Sequence, residues 1–251
     1  MVWVLGFRWR MRVLIAVDKF KGSLPALAVA EAVAAGLRAG GLDWEVDLCP
    51  IADGGEGTTE AVVGALKGQW VEVAAADALG RELTVRYGLV SGGEAAWEAV
   101  MEMSSASGLP LVTDAPLQPL VASSFGTGQM LKDAAARGVK RVRIGIGGSA
   151  TNEGGIGLAL ALGFRFINKE GEAVTALPER FEEVVRIERP PAGMSLPEVE
   201  VEVACDVDNP LLGERGATRV YGRQKGVTAE TEAFFEARLE RLAAMVARDL
   251  G

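Results

Sequence analysis

The segments RVLIAV (12–17), PALAVAEAVAAGLRA (25–39), EVDLC (45–49) and TTEAVVGAL (58–66) decide how this chain folds. The first is a short β-branched run of the kind found in buried strands. The second carries apolar residues at helical spacing, with Ser23 and Leu24 before a proline at its start and Gly40-Gly41 after its end. A second strand and a second helix follow. The opening therefore reads β-α-β-loop-α, the beginning of a Rossmann-like layer in an α/β protein with a largely parallel sheet.

Upstream, residues 1–10 (MVWVLGFRWR) suit neither a targeting segment nor a strand in register, and read as an upstream translation start. Downstream, segments 70–74, 82–89 and 95–101 are three strand-like runs in succession, so a mixed or antiparallel subdomain is expected from about residue 68. Then come a helix at 127–137, a strand at 139–146, a Gly-rich loop, a helix at 156–162 and strands at 164–167 and 199–205. A last helix is expected at 229–250, with Thr228 as its N-cap and Phe235, Leu239, Leu242 and Val246 as its apolar face. The expected organisation is two unlike α/β domains. An N-terminal Rossmann-like part spans 11–67, a larger mixed-sheet domain spans 68–226, and a C-terminal helix closes the chain at 228–250.

At 251 residues and 49% apolar, the chain can bury a substantial core. A net charge of −8 with only 6% aromatic residues supplies neither the cations nor the stacking faces that nucleic-acid binding uses, so nucleic acid is excluded as a partner. No apolar run reaches membrane-spanning length, and no membrane partner is expected. The sequence contains no His, which removes Ser/His and Cys/His catalysis and most catalytic zinc sites. Acid–base work then falls to carboxylates, Lys, Cys or Tyr. Cys49 and Cys205 lie far apart, each in an apolar run, and read as reduced core thiols of a cytoplasmic protein.

Four polar, Gly-containing segments each follow a strand, where open α/β sheets place ligands. In Asp18-Lys19-Phe20-Lys21-Gly22-Ser23, the two lysines can hold an anion and Ser23 offers a hydroxyl at a helix start; a solvated turn with a capping serine fits the same residues. In Ala52-Asp53-Gly54-Gly55-Glu56-Gly57-Thr58, paired glycines let backbone approach a ligand, and Asp53 and Glu56 can reach a magnesium ion or a substrate hydroxyl. The alternative is a Gly-rich turn capped by Asp. The loop at 145–155 (GIGGSATNEGG) offers Gly147, Gly148, Ser149, Thr151 and Asn152 as a nest for phosphate oxygens. It lacks the Walker lysine, so an ordinary P-loop enzyme is excluded, and the G-x-G-x-x-G dinucleotide pattern is not met in register. Finally, Asp206 and Asp208 in the segment 204–211 are oxygen ligands suited to magnesium or to positioning a hydroxyl, and equally suit an Asp-rich turn before proline.

Taken in order, DKFKGSL (18–24), ADGGEGT (52–58), SSFGTGQ (123–129), GIGGSATNEGG (145–155), ACDVDNPLLG (204–213) and QKG (224–226) resemble the type-1 glycerate kinase family of bacteria. The resemblance runs from residue 11 to about 226. It implies an ATP-dependent kinase that phosphorylates D-glycerate to a phosphoglycerate in a cleft between two unlike α/β domains, with ATP and Mg2+ as cofactors. On this reading Asp18, Lys19, Lys21, Asp53 and Asp206 are catalytic, and Ser23, Gly54, Gly55 and Glu56 bind substrate. Gly147, Gly148, Ser149, Thr151 and Asn152 bind the nucleotide, and Asp206 and Asp208 hold the metal. The alternatives are a kinase for another small hydroxy acid, or a non-catalytic member needing a partner segment. Family members continue past the point where this chain ends, so the expectation is a chain that self-associates, through its last helix or its first strand, and turns over glycerate poorly alone.

Overall fold

The computed structural model describes residues 11–20, 23–41, 44–92, 96–191 and 198–251. Two compact units divide between Asp53 and Gly54. In the N-terminal unit, β1 (Arg12–Val17) and β2 (Glu45–Pro50) pair in parallel from Arg12↔Glu45 to Val17↔Pro50, with α1 (Ala26–Ala39) between them in sequence. Ala30 and Ala34 are small enough to let the helix lie close over Ile15, with Val13, Val17, Leu37 and Val46 around them. Pro25 occupies the N-cap with its extended backbone, and the cap carries no side-chain hydrogen bond; Ser23 is therefore not a cap.

Alternation along these strands overturns one expectation. Among the described residues, α1 covers one face of the β1–β2 pair, and the alternate positions Leu14, Ala16 and Cys49 are exposed, Leu14 at 63%. Cys205, one residue beyond the last sheet strand, is exposed as well. Both thiols are free, and neither belongs to a core.

The larger unit begins with α2 (Thr58–Leu66) and a five-stranded mixed sheet. Strands β3 (Gln69–Ala76), β4 (Glu82–Ser91) and β5 (Trp97–Glu102) form an antiparallel meander; β6 (Arg141–Gly145) and β9 (Glu200–Ala204) extend it in parallel, giving the order β3-β4-β5-β6-β9. On one face, Val63 of α2 packs on Val90 and Val100. That helix, expected in the N-terminal layer, thus serves the larger sheet. On the other face, α4 (Phe125–Ala136) covers Tyr87, Met101, Val142 and Ile144 with Met130, Leu131 and Ala134. The short helix α3 (Ser104–Ser107) follows β5 directly.

A satellite layer is built by α5 (Ile156–Ala161), the antiparallel pair β7 (Arg165–Asn168) and β8 (Val184–Glu188), and, after the one-turn α6 (Ala217–Tyr221), the long helix α7 (Glu232–Leu250). Helix α7 starts three residues later than the sequence suggests, because Thr228 folds into a turn in which its N–H donates to Thr231 Oγ1 at 2.9 Å. Its inward face is Phe235, Leu239, Leu242 and Met245, and Val246 turns out at 41% exposure. This apolar face is covered by the chain's own β7–β8 layer, where Ile156, Phe166, Phe181 and Ile187 meet Leu242 and Met245. Arg238 clamps Glu182 with two bonds of 2.8 and 2.7 Å, and Arg248 donates to the Val185 carbonyl. The inward face of the last helix is thus buried within the chain itself, with Phe234 and Val246 left at the surface.

Tyr87 is fully buried and its hydroxyl donates to Asp133 Oδ2 on α4 at 2.7 Å, tying sheet to helix. Burial, aided by Asp133, pushes the phenol well above its ordinary value, so the fold holds the neutral form. Its contribution is complete below the ordinary phenol pKa of about 10 and is lost as pH rises beyond it. Tyr87→Phe should cost about 1 kcal/mol and Tyr87→Ala about 3–5 kcal/mol in urea unfolding, the difference being the cavity. Equal costs for the two would contradict this packing.

Candidate active site

The parallel strands β5, β6 and β9 end in register at Glu102, Gly145 and Ala204. Their following loops and the start of α2 gather at this carboxyl edge, the usual ligand position in such sheets. What brings them together is the absence of side chains. A Cβ on Gly145 would stand 2.1 Å from the Gly54 oxygen, one on Gly147 would stand 2.8 Å from Gly55 Cα, and one on Gly54 would stand 2.7 Å from the Ala204 oxygen. The Gly147 N–H reaches the Gly54 carbonyl at 3.4 Å. Gly54 and Gly55 therefore lie backbone to backbone against the ends of β6 and β9, so the close approach that the paired glycines allow is made here to the protein's own strand ends.

The start of α2 is occupied by the protein itself. Glu102, only 6% exposed, accepts the Thr59 N–H at 2.7 Å, and Ser104 Oγ donates to its other oxygen at 3.2 Å. Glu56 is exposed, and Thr58 Oγ1 donates back to the Gly55 carbonyl at 2.7 Å.

The 147–155 loop is held residue by residue. The Gly148 carbonyl accepts from the Leu109 N–H at 2.9 Å, and the Ala150 N–H donates to the Ser107 carbonyl at 2.8 Å. Asn152 is buried and its amide donates to Thr218 Oγ1 at 3.1 Å; Thr151 is buried too. These two side chains face the protein, so of the five expected nucleotide-binding residues only Gly147, Gly148 and Ser149 keep surface at the loop's tip. Glu153, 1% exposed, closes the loop at the start of α5 by accepting from the Ser124 N–H at 2.9 Å, from the Ser124 hydroxyl and from the N–H groups of Ile156 and Gly157. Burial pushes this carboxyl above the usual range, against the pull of those donors.

Lys225, in the QKG segment, has no role expected from the sequence. Its ammonium donates to Ser149 Oγ at 2.9 Å and to the Thr151 carbonyl at 2.7 Å. Burial lowers its pKa to about 8, while the charge of Glu153 acts in the opposite direction. Asp206 and Asp208 are exposed beyond β9, and their neighbour Asn209 turns inward, donating to the Arg215 carbonyl and accepting from the Tyr221 hydroxyl.

In the N-terminal unit, Lys19 Nζ lies 2.9 Å from Asp53 and 3.7 Å from Asp18. Lys21 falls outside the described residues, and Ser23 is exposed. Among the described residues no cluster of three carboxylate, Cys or His groups could cage a metal ion. Magnesium is usually held by one or two carboxylates together with phosphate oxygens and water, and the Asp206–Asp208 pair fits that donor set. A surface cavity of about 320 Å³ lined by Asn168, Lys169, Arg186, Arg248 and Asp249 belongs to the satellite layer and not to these strand ends. Among the described residues no helix is long and apolar enough to cross a membrane.

Comparison with known proteins places this geometry in context. The profile of the glycerate kinase family matches residues 13–251. A glycerate kinase of Halalkalibacterium halodurans is 42% identical over 239 residues, covering 95% of this chain and 62% of that protein. The glycerate 2-kinase of Escherichia coli is 38% identical over 218 residues, covering 87% of this chain and 56% of its own length. A crystal structure from Salmonella typhimurium LT2, named for glycerate kinase 2, superposes with a TM-score of 0.81 at 41% identity, covering 96% of this chain and 64% of that one. The chain thus spans less than two thirds of the length of these relatives.

The close backbone approach makes a sharp prediction. Gly145→Ala should destabilise by about 3 kcal/mol or more, because its Cβ has only backbone to displace. Gly57→Ala, with φ of 94° and no atom within 4 Å of the added carbon, should cost only the left-handed strain of about 1–2 kcal/mol. Chemical unfolding of both variants checks this, and the reverse ranking would contradict it.

Proposed function

Because the chain belongs to the glycerate kinase family, we propose that it transfers the γ-phosphoryl of ATP to a hydroxyl of D-glycerate. Phosphoryl transfer is mostly positioning and charge neutralisation, and it needs no His. The observation that carries this reading is the 147–155 loop, held at the carboxyl edge of parallel strands with its glycine tip open. There the N–H groups of Gly148 and Ser149 would receive phosphate oxygens, with Gly147 holding the loop's start through its N–H to the Gly54 carbonyl. Lys19 and Lys21 would bind the anionic groups of substrate, with Asp18 and Asp53 orienting Lys19. Glu56, Gly54, Gly55 and Ser23 would contact glycerate. Asp206 and Asp208 would hold Mg2+, which when bound neutralises charge developing on the transferred phosphoryl group. Asp206 would also orient the attacking hydroxyl and take its proton.

The exposed face around Leu14 supports self-association of the N-terminal strands as part of the same reading. Light scattering should then report a dimer or larger species. A monodisperse monomer would remove that part.

Activity is tested by ADP release with ATP, magnesium and D-glycerate, beside other hydroxy acids, for this chain and for one of the relatives' full length. Glycerate should be the preferred acceptor, and preference for another acid would replace it. Asp53→Asn and Asp206→Asn should each lower turnover by about 100-fold or more. Their stability should stay within about 1 kcal/mol of wild type, since Asp206 is exposed and the Asp53 pair is partly solvated. Wild-type turnover in both would return these residues to ordinary turns.

A further inference from the structure

The Gly-rich loop has one anchor that differs in kind from the others. Gly148 and Ala150 are held by backbone bonds to Leu109 and Ser107, and Asn152 by an uncharged amide. Ser149 and Thr151 are held together by one cation, the ammonium of Lys225, which lies 74 residues further along the chain. Lys225 is itself set firmly. It ends a single 3-10 turn (Arg223–Lys225), its N–H donates to the Gly222 carbonyl at 2.9 Å, and the next residue, Gly226, has φ of 96°. A side chain on Gly226 would meet Leu117 Cβ at 2.7 Å, so the turn is fitted against the 117–119 segment.

We propose that Lys225 is a positioning residue of the phosphate-binding loop: by bridging Ser149 Oγ and the Thr151 carbonyl it fixes the backbone N–H groups of Gly148 and Ser149 in the arrangement that receives nucleotide phosphate. This rests on the reading of the loop as a phosphate site. An ammonium has three donors and no acceptor, so it can hold two loop oxygens at once without drawing on the N–H groups of Gly148 and Ser149, whereas those of Gly147 and Ala150 already meet the Gly54 and Ser107 carbonyls. Charge-assisted bonds are roughly twice as strong as neutral ones. A neutral donor in its place would hold the loop more weakly and would add no positive potential beneath an anion. The buried Glu153 at the loop's far end supplies a compensating charge. Burial costs a lysine solvation, and the two loop oxygens together with the Glu153 charge offset that cost.

The test uses the whole chain with Lys225→Met, which keeps the aliphatic bulk, and Ser149→Ala, which removes one half of the bridge. Amide hydrogen exchange is measured without ligand, and MgATP binding by calorimetry. In Lys225→Met, exchange at 148–152 should quicken about tenfold or more while amides of α4 and β6 keep their protection. The MgATP dissociation constant should rise at least tenfold, and Ser149→Ala added to Lys225→Met should cost little more, since both break one bridge. Unchanged loop exchange, or unchanged MgATP affinity beside quicker exchange, overturns the proposal. If Lys225→Met does not fold, Ser149→Ala alone decides: quicker exchange with weaker MgATP binding supports the bridge, and no change in either overturns it. Should the wild-type chain bind no MgATP, the phosphate reading of the loop and the proposal's link to nucleotide fall together. Quicker exchange in Lys225→Met would then support the loop anchor alone.

Discussion

Backbone contact at the strand ends governs the larger unit. The oxygen of Gly54 sits where a Gly145 side chain would begin, and the segments around Gly55 and Ala204 close on the same point. Van der Waals exclusion of this kind is steep, so no residue with a Cβ fits without moving backbone. Bringing Gly54 to β6 also places the first turn of α2 beside β5, where Glu102 can take the Thr59 N–H. The Gly-rich loop then leaves β6 from a fixed starting point. Sheet, helix and loop geometry are therefore consequences of one crowded spot that only glycine can occupy.

Around that spot the chain buries charge and satisfies it. Glu102 and Glu153 each close a helix start with hydrogen bonds from backbone and serine, and Lys225 closes the loop from the other side. Buried polar groups of this sort are costly when half satisfied, and rigid when fully satisfied. In the proposed phosphate site such rigidity would help, because dipoles fixed beforehand need no reorganisation during transfer. Despite its five glycines, the loop is anchored at Gly148, Ser149, Ala150, Thr151, Asn152 and Glu153.

Much of this was legible in the sequence, and the failures have physical causes. Helix α2 was located to the residue, since Gly57 before it and Lys67-Gly68 after it break the pattern. The meander and the mixed sheet followed from successive strand runs divided by glycines. Cys49 was misplaced because an apolar run was taken as buried on both sides, whereas a two-stranded sheet under one helix leaves alternate residues outside. Strand β8 went unseen: only Val184 and Ile187 of its five residues are buried, too short an alternation to stand out among charged neighbours. Thr151 and Asn152 could not be told from ligand-binding residues, because their partners in space, Lys225 and Thr218, lie more than 60 positions away. The same distance hid Lys225 itself.

The central claim is that anion binding is built into the backbone at the ends of β5, β6 and β9. The most direct measurement is a titration of the chain with MgATP, followed by backbone amide chemical shifts. The account predicts the largest changes at Gly148 and Ser149, with smaller ones at Gly147, Gly54 and Gly55 through their contact at the end of β6. Saturable changes confined to other surfaces, with the amides of 147–149 unmoved, would contradict it.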